Sequence, residues 1–529
     1  MGCLFWIFAL SPILYLIWRY INKDLDYFAE RNIPHEKPLP IFGNWFSTLF
    51  LGKPIPDMLL QLSNKFREHK LYGMFDMTVP MYVIKDPELI KQVMVKDFDH
   101  FVNHVPFLTS EGDALFGNSL FALLDEKWRN MRSTLSPAFT SSKMRMMYEL
   151  VRNCADSFIT YCNDNLNENG YYDINAKDIF SKATVDVIST CAFGLEVDSL
   201  KNPENEVYVN ARKSFNFEDF MQQIKVLFIG MAPKLCKWLN INFIPKESSQ
   251  FFKQIVADTI KHRRSTNTFR PDVIQLLIQA IDGKLKHESD NKDTETGFAV
   301  VNETTNSKQV TTKSNWSDSE VAAQCFLFFV AGFDTTSTTL TFALYELVVA
   351  DDIQEKLFEE ITETKNQLNG KPVTYEAIHK MEYLDAFVSE VLRHHPPGFL
   401  TDRVCNKNTN LKVDSGEEFF IPNKSKLWIN VYGLHHDHQY FPNPMKFDPT
   451  RFLGENKKKI IPNTYMPFGL GPRACIGSRF ALMEVKLMLY YLLSEFSVKA
   501  CDKTSIPLHY SNSFALAPDV DLIVRLKKR

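Results

Sequence analysis

One stretch of the chain limits the possible folds more than any other. Residues 321–350, VAAQCFLFFVAGFDTTSTTLTFALYELVVA, are apolar on nearly every side of a helix. Ser317 and Glu320 precede the stretch at the spacing of a capping box, so one helix is expected from there to about Ala350. Such a helix spans roughly 50 Å. The aspartate and threonines at its centre argue against a membrane-spanning helix, because polar groups are costly inside a bilayer. The chain is therefore predicted to contain a large domain that this helix crosses.

The middle of this helix contains residues that a plain core helix would avoid. Gly332 costs about 1 kcal/mol relative to alanine, and Asp334 costs far more if it is buried without a partner. Ala331 and Thr335 are four residues apart, so they share a face. Two interpretations stay open: these residues face a functional site, or the threonine bonds back to its own helix and the aspartate is incidental.

The loop PFGLGPRACIG, 467–477, also allows two interpretations. Gly469, Gly471 and Ala474 fit the spacing of a dinucleotide-binding turn, but that turn needs a strand on each side of its helix, and neither is apparent here. The alternative is a loop that presents one thiolate to a metal. It follows the pattern F-x-x-G-x-R-x-C-x-G at Phe468, Gly471, Arg473, Cys475 and Gly477. Chance would produce such a match with a probability on the order of 10⁻⁴ in this chain, so the thiolate interpretation is preferred.

Two further patterns are weak when taken alone. The predicted helix 382–394 carries Glu390 and Arg393 opposite its apolar stripe, which by itself indicates a solvated ion pair worth about 0.3 kcal/mol. A histidine cluster lies in a Pro-rich segment without the spacing of a metal site, and its members are predicted to be structural or surface residues: His435, His436 and His438.

Composition excludes two classes of protein. The net charge of the 529 residues is −3, so the chain has no overall basic footprint for nucleic acid. Its nine cysteines contain no C-x-x-C pair, which argues against a disulfide framework or a structural zinc site and suits a reducing compartment. The role of Cys475 therefore has to be judged from its neighbours.

The first residues predict attachment to a membrane. An uncharged apolar stretch at 3–18 is followed by Arg19 and Lys23, so residues 1–21 are predicted to be a retained anchor, with a cleaved signal peptide as the alternative. A Pro-rich linker at 22–45 and one catalytic domain at 46–529 follow, with a polar mobile loop at 283–317. Since the rest of the chain is expected in the cytosol, three glycosylation sequons should stay unmodified: Asn302, Asn315 and Asn423.

Together these patterns resemble the cytochrome P450 family of haem-thiolate monooxygenases, and the resemblance covers most of the chain. It implies a mainly α fold with small β-sheets, in which haem b is buried between the long central helix and the cysteine-bearing loop. LSPAFTSSKM at 135–144 and AQCFLFFVAGFDTTST at 323–338 are similar to insect microsomal members that metabolise xenobiotics. The expected location is the endoplasmic reticulum membrane, with the catalytic domain on the cytosolic side.

The resemblance also implies roles for single residues. Cys475 is the axial ligand of the haem iron, Thr335 holds dioxygen and a water, and Asp334 lies in the proton path. The other cofactor-binding residues are Ala331, Phe468, Gly471, Arg473, Gly477, Trp128, Arg132 and Arg403, of which the three arginines and Trp128 bind the haem propionates. The structural triad is Glu390, Arg393 and Arg451. The candidates for an apolar substrate pocket are Phe107, Phe121, Leu327, Val330, Ala331, Phe399 and Phe514.

The implied reaction is NADPH- and O2-dependent hydroxylation or epoxidation of lipophilic small molecules, above all xenobiotics such as insecticides and plant compounds. The alternative substrate is an endogenous lipid, terpenoid or steroid hormone. Two rival functions are disfavoured. Asp334 and Thr335 argue against a haem-thiolate isomerase or dehydratase, and the complete thiolate loop, the Asp334–Thr335 pair and the anchor argue against a non-catalytic haem-binding protein.

The expected partners follow from what the sequence lacks. No flavin or nicotinamide site is apparent, so electrons are expected from a separate protein. The resemblance implies that this protein is NADPH-cytochrome reductase, with cytochrome b5 as a further candidate donor. The candidate docking surface is a basic patch of Lys457, Lys458, Lys459 and Lys486, and an ordinary solvated face is the alternative. The apolar, basic stretch 226–246 is predicted either to dip into the membrane or to form a plain core helix pair.

Overall fold

The computed structural model describes residues 22–106, 113, 115–214, 220–231, 233–239, 241–282, 297–300 and 316–529, and the separate residues 12, 15, 16, 18 and 19. Its α-helices are α1 Phe46–Leu51, α2 Ile55–Lys65, α3 Pro87–Lys91, α4 Asp125–Leu135, α5 Ser141–Asp164, α6 Ala176–Ile188, α7 Glu206–Ser214, α8 Phe220–Met231, α9 Pro233–Trp238, α10 Lys246–Thr266, α11 Val273–Ile281, α12 Asp318–Val349, α13 Asp351–Gln367, α14 Tyr375–Lys380, α15 Glu382–His394, α16 Val431–His435, α17 Gly454–Lys457 and α18 Ser478–Glu495. Its strands are β1 Leu71–Asp76, β2 Val79–Ile84, β3 Tyr171–Asn175, β4 Thr401–Val404, β5 Thr409–Lys412, β6 Glu418–Ile421, β7 Lys426–Ile429, β8 Phe496–Lys499 and β9 Ile523–Lys528. The prediction of a mainly α fold with small β-sheets is confirmed.

The smaller of two compact units comprises 1–105, 399–442 and 462–464, and its centre is a four-stranded sheet in the order β1-β2-β7-β4. β2 pairs antiparallel with β1 and parallel with β7, and β7 pairs antiparallel with β4. The last four residues of β2 are all buried, as expected for a strand covered on both faces. β5 and β6 form a separate antiparallel pair.

The larger unit comprises 106–398, 443–461 and 465–529, and α12 is its central element. α12 packs against α6, α10, α15 and α18. A Cβ atom at Gly332 would lie 2.9 Å from Cδ1 of Ile188 in α6, so the glycine allows these two helices to approach closely. Packing therefore explains the glycine that seemed out of place in the sequence.

The predicted capping box is present at the start of α12. The Glu320 amide donates to Ser317 Oγ at 3.3 Å, and the Ser317 amide donates to Glu320 Oε2 at 2.9 Å. Within the described part of the chain, α12 is the one helix long and apolar enough to cross a membrane. Most of its side chains are buried by the surrounding helices, so it is a core helix, as predicted.

A short piece of the segment 283–317 packs against the protein. The Phe298 ring lies 5.3 Å from the Phe452 ring and 5.5 Å from the Tyr465 ring, and the Phe298 amide donates to Asp385 Oδ2 at 3.0 Å. Ala299 is buried beside it. Residues 283–296 and 301–315 lie outside the described residues, as do most of residues 1–21, so the mobile loop, the anchor and the domain boundaries stay predictions.

Candidate active site

The loop before α18 presents a thiol. Of the cysteines that the structure describes, Cys475 alone is exposed. Its backbone amide donates to the Phe468 carbonyl at 2.8 Å, which closes the loop. Gly469 and Gly471 have φ values of +75° and +68°, a conformation that side chains with a Cβ rarely adopt. The two glycines therefore shape the loop in which Cys475 is exposed.

The start of α18 favours negative charge at this thiol. The helix begins at Ser478, and no side chain caps its first turn. The N-terminal end of a helix carries partial positive charge, which stabilises a thiolate nearby. A Cβ atom at Gly477 would have no described heavy atom within 4 Å, so the backbone there borders open space.

Arg473 joins the cysteine loop to the segment before α4. Its Nη2 donates to the Leu123 carbonyl at 2.7 Å, and its guanidinium carbon lies 4.1 Å from the centre of the Trp128 ring. Trp128 and Arg132 are both buried in α4 and lie one helical turn apart on the same side. The structure therefore brings together three of the four residues predicted to bind the haem propionates.

Arg403, the fourth, lies in the smaller unit, in β4. It is 1% exposed, and its Nε has no hydrogen-bond partner among the described residues. Burial lowers its pKa to about 10 despite the nearby Asp402. A buried N–H group without an acceptor is costly, so an anionic ligand is expected to complete this site.

α12 leaves one face of its middle uncovered. Ala331 and Thr335 are exposed, although Val330 and Phe333 beside them are buried. The Thr335 hydroxyl donates to the Ala331 carbonyl at 2.7 Å, so the threonine does bond back to its own helix. The hydroxyl proton is thus used within the helix, and the exposed oxygen can still accept a hydrogen bond. That this face belongs to a functional site stays a prediction.

Asp334 faces a different neighbour. Lys177 of α6 places its Nζ 2.9 Å from Asp334 Oδ1. The same ammonium group donates to Ser337 Oγ at 3.0 Å and to Thr338 Oγ1 at 2.8 Å. The aspartate in the middle of α12 is therefore paired, which offsets the cost of placing it there.

The predicted triad residues meet in the interior. Arg393 Nε donates to Glu390 Oε2 at 2.7 Å and its Nη2 to Oε1 at 2.9 Å, with both side chains fully buried. Arg451 Nε lies 3.4 Å from Glu390 Oε1, and its Nη2 donates to the Asn443 carbonyl at 3.0 Å. The Glu390–Arg393 pair is thus not the solvated contact that its spacing alone indicated, since α15 is covered on both sides.

The pocket candidates are only partly brought together. Leu327, Val330 and Ala331 lie on the same stretch of α12, with Leu327 half-buried and Val330 buried. Phe107 lies outside the described residues. The remaining candidates are exposed Phe121, half-buried Phe514 and, in the smaller unit, buried Phe399.

The proposed basic patch needs a correction. Lys486 is fully buried in α18 and forms an ion pair with Asp385 of α15 at 2.7 Å. It cannot contribute to a docking surface, because α18 turns it inward to a carboxylate that the sequence does not mark as its partner. Lys458 and Lys459 are exposed, and Lys457 is half-buried.

The histidine prediction agrees with the structure. His435 and His436 are buried, His438 is about half exposed, and His436 Nδ1 lies 2.9 Å from the Tyr432 carbonyl oxygen. They are structural or surface residues.

Sequence reasoning missed a buried cluster at the end of α15. Glu346 Oε1 lies 3.0 Å from His394 Nδ1 and 2.7 Å from His395 Nε2, and His395 Nδ1 lies 2.8 Å from the Tyr510 hydroxyl. The adjacent histidines were the available signal, but their partners are about 50 and more than 100 residues away in the chain.

An exposed cysteine in a glycine-shaped loop, a helix end beside it and an uncovered face of α12 are the features expected of a haem-thiolate enzyme. The family model of cytochrome P450 matches residues 33–523, and the chain belongs to this family. It is 41% identical to cytochrome P450 9e2 of Blattella germanica, over 95% of this chain and 94% of that protein. It is 39% identical to probable cytochrome P450 9f2 of Drosophila melanogaster, over 99% of both chains. It is 36% identical to cytochrome P450 3A41 of Mus musculus, over 98% of this chain and 96% of that protein.

The chain's own residues fit a haem. Cys475 offers an exposed thiol, the space beside Gly477 is free of described protein atoms, and the Arg473 guanidinium lies in the same loop. A soft thiolate and cationic groups are the donors that an iron porphyrin with two carboxylates requires. The protein is a haem-thiolate monooxygenase of the cytochrome P450 family.

Proposed function

We propose that this enzyme hydroxylates or epoxidises lipophilic xenobiotics such as insecticides and plant compounds. The observation that carries the proposal is the uncovered face of α12, where the exposed Thr335 and Ala331 lie near half-buried Leu327, with Val330 buried beside them. Apolar walls with few polar groups suit lipophilic ligands of varied shape. The two insect relatives are both named as cytochromes P450 of group 9. The chain contains 43 phenylalanines from which such walls can be built.

Haem b supplies the reductive activation of O2 and the transfer of one oxygen atom to substrate, with the second atom released as water and two electrons taken from NADPH. Cys475 Sγ would hold the iron, and Arg473, Trp128, Arg132 and Arg403 would hold the propionates. Thr335 Oγ1 holds a water that delivers protons, and Asp334 supplies those protons from solvent. Glu390, Arg393 and Arg451 keep the core rigid and take no part in the chemistry.

Electrons come from NADPH-cytochrome reductase, with cytochrome b5 as a second donor. Lys458 and Lys459 offer exposed positive charge, although Lys458 lies 2.7 Å from Glu455 and Lys459 donates to Asn456. An acidic partner would be steered by these lysines mainly through its rate of association.

Membrane attachment is proposed at the endoplasmic reticulum, with the catalytic domain in the cytosol. Besides the predicted anchor at 1–21, the helices α8 and α9 carry exposed apolar side chains. The most exposed are Met221 at 68% and Trp238 at 79%. A plain core helix pair would bury these residues, so this stretch is better suited to the membrane surface.

The first test is a spectral titration of the purified ferric protein, after its reduced carbon monoxide spectrum has verified thiolate ligation. The panel contains insecticides, plant flavonoids and alkaloids, fatty acids, terpenoids and steroids, scored for displacement of the iron-bound water. We expect weak shifts with many unrelated compounds, and NADPH consumption with product formation when reductase is added.

A matched pair of variants controls this experiment. Cys475→Ala should abolish the thiolate spectrum, whereas Cys501→Ala, which changes a half-buried cysteine, should keep it. One tight shift within a single endogenous class would replace the detoxifying role with a dedicated one. Turnover that needs neither reductase nor NADPH would point instead to an isomerase or dehydratase.

A further inference from the structure

A buried carboxylate joins two segments that are far apart in the sequence. Asp113 is 5% exposed, and its Oδ1 accepts hydrogen bonds from the amides of Leu115 at 3.0 Å and Phe116 at 2.9 Å. Its Oδ2 accepts from the amide of Ile244 at 3.0 Å, 131 residues further along the chain. One side-chain oxygen therefore shapes the local turn, and the other connects that turn to the residues just before α10.

Side-chain packing reinforces this connection. The rings of Phe116 and Phe243 meet edge to face with centroids 5.7 Å apart. Lys225 of α8 donates to the Phe243 carbonyl at 3.1 Å, and its positive charge interacts favourably with the Asp113 carboxylate. The two segments thus share a carboxylate, an aromatic pair and a lysine contact.

The residues that follow this turn contact both α12 and the cysteine loop. The Leu120 amide donates to Oε1 of buried Gln324, whose Nε2 donates to the Asn118 carbonyl, both at 2.8 Å. Gln324 is seven residues before Ala331 in α12, so the two side chains lie on the same face of that helix. Beyond them, Arg473 of the cysteine loop donates to the Leu123 carbonyl at 2.7 Å.

Residues 118–123 therefore run from α12 to the cysteine loop and form a wall of the space between them. We propose that Asp113 is a positioning residue that holds this wall closed against residues 243–244, and so controls how fast lipophilic ligands and water reach the Thr335 face. The inference rests on the proposed function, because it assumes that haem and substrate use this space. Asp113 is not among the site residues that were predicted from the sequence.

The substitution Asp113→Asn tests the bridge selectively. The asparagine oxygen can still accept from Leu115 and Phe116, but its NH2 group cannot accept from the Ile244 amide. Ile244→Pro removes the same bond from its other end by deleting the donor. Asp258→Asn, an exposed aspartate on α10, is the matched control.

Two measurements test what the loss of the Asp113–Ile244 hydrogen bond does. Hydrogen exchange of the haem-containing protein should become faster in 115–121 and 243–244 in both test variants and stay unchanged in the control. Stopped-flow binding of 1-phenylimidazole should show association and dissociation rates that both rise at least about fivefold, with a smaller change in Kd. In the double variant the effects should add to less than their sum, since the shared bond can be lost only once, although Ile244→Pro also changes a buried side chain.

The outcomes separate this proposal from the proposed function. Unchanged exchange and binding rates in Asp113→Asn, with an intact carbon monoxide spectrum, would refute the role of Asp113. So would two single variants whose effects add fully. Neither measurement requires turnover, so a failure to oxidise xenobiotics would overturn the proposed substrates and leave the Asp113 result standing.

Discussion

Asp334 and Thr335 are neighbours in the sequence, but their side chains lie on different faces of α12. Lys177 holds the Asp334 carboxylate on the side that meets α6, at 2.9 Å, whereas Thr335 lies on the uncovered face. A helix turns by about 100° per residue, which accounts for the separation. A proton that passes from Asp334 to the Thr335 face must therefore move round the helix.

This geometry predicts different effects for the two members of the ion pair. Asp334→Asn keeps the size of the side chain but loses the carboxylate, so kcat should fall about 10- to 100-fold with a larger solvent isotope effect. Lys177→Met should keep kcat within about threefold and lower the free energy of unfolding by about 1 kcal/mol, because the pair is partly exposed. Steady-state turnover in H2O and D2O measures both. Equal losses of kcat would show that the ion pair acts as a unit.

Thr335→Ala should uncouple NADPH oxidation from product formation. The variant lacks the hydroxyl oxygen that faces the site, so water and protons are no longer held there. We expect NADPH consumption within about threefold of the wild type and a several-fold larger share of hydrogen peroxide. Thr335→Ser retains the oxygen and should stay coupled. The ratio of peroxide to product measures the effect, and an unchanged ratio would remove the role of Thr335.

Loss of Glu390 should abolish haem incorporation. Glu390→Gln leaves the fully buried Arg393 guanidinium beside a neutral amide, which is expected to cost about 3–5 kcal/mol. Arg451→Lys should be milder, at about 1 kcal/mol, because Arg451 contacts Glu390 at 3.4 Å and also a backbone carbonyl. The ratio of haem to protein and the Tm measure this. Variants that bind haem fully but turn over slowly would indicate a catalytic role instead.

Acid should destabilise the protein through His395. Burial lowers its pKa to about 4, even though Glu346 opposes the shift and His394 and Arg393 add to it. Burial raises the pKa of Glu346, but hydrogen bonds from both histidines outweigh it and bring the pKa to about 2. A lowered pKa of the folded state means that the stabilisation is complete above about pH 6.5 and is lost as the pH falls towards 4.

The loss should reach about 3 kcal/mol over this range and appears as a fall in Tm. His395→Gln keeps an N–H donor but does not titrate, so its Tm should depend less on pH between 6.5 and 4. His262→Gln, at an exposed position on α10, is the control and should follow the wild type. Parallel Tm curves for all three proteins would exclude His395 as the origin of acid sensitivity.

Substitution of the exposed lysines of the proposed patch should weaken binding of reductase, whereas substitution of the buried lysine should lower stability. Lys458→Glu with Lys459→Glu should raise the KM for reductase by about tenfold at low salt and less at high salt, since both side chains are exposed. Lys486→Gln should leave that KM unchanged but lower stability by about 3 kcal/mol, because it leaves Asp385 without its charged partner. Titration of turnover with reductase, alongside Tm, distinguishes the two. A raised KM in Lys486→Gln at normal Tm would contradict the buried placement.

Local patterns predicted the parts of the site that lie within one element. The capping box at Ser317 and the pairing of Glu390 with Arg393 depend on residues within a helical turn, and both are present. The burial of Lys486 was not predictable in the same way, because its partner Asp385 lies on another helix about 100 residues away. The sequence around Lys486 does not show that this lysine turns inward.

The sequence by itself determined the class of protein: an apolar helix with a hydroxyl at its centre and a cysteine in a glycine-rich loop are short-range patterns that few folds accommodate. Only the tertiary structure decided which charges are paired, that Lys177 meets Asp334, that Asp113 reaches Ile244, and that two histidines share Glu346. The physical reason is that these contacts join groups tens to hundreds of residues apart. Their partners are set by the packing of whole helices rather than by spacing along the chain.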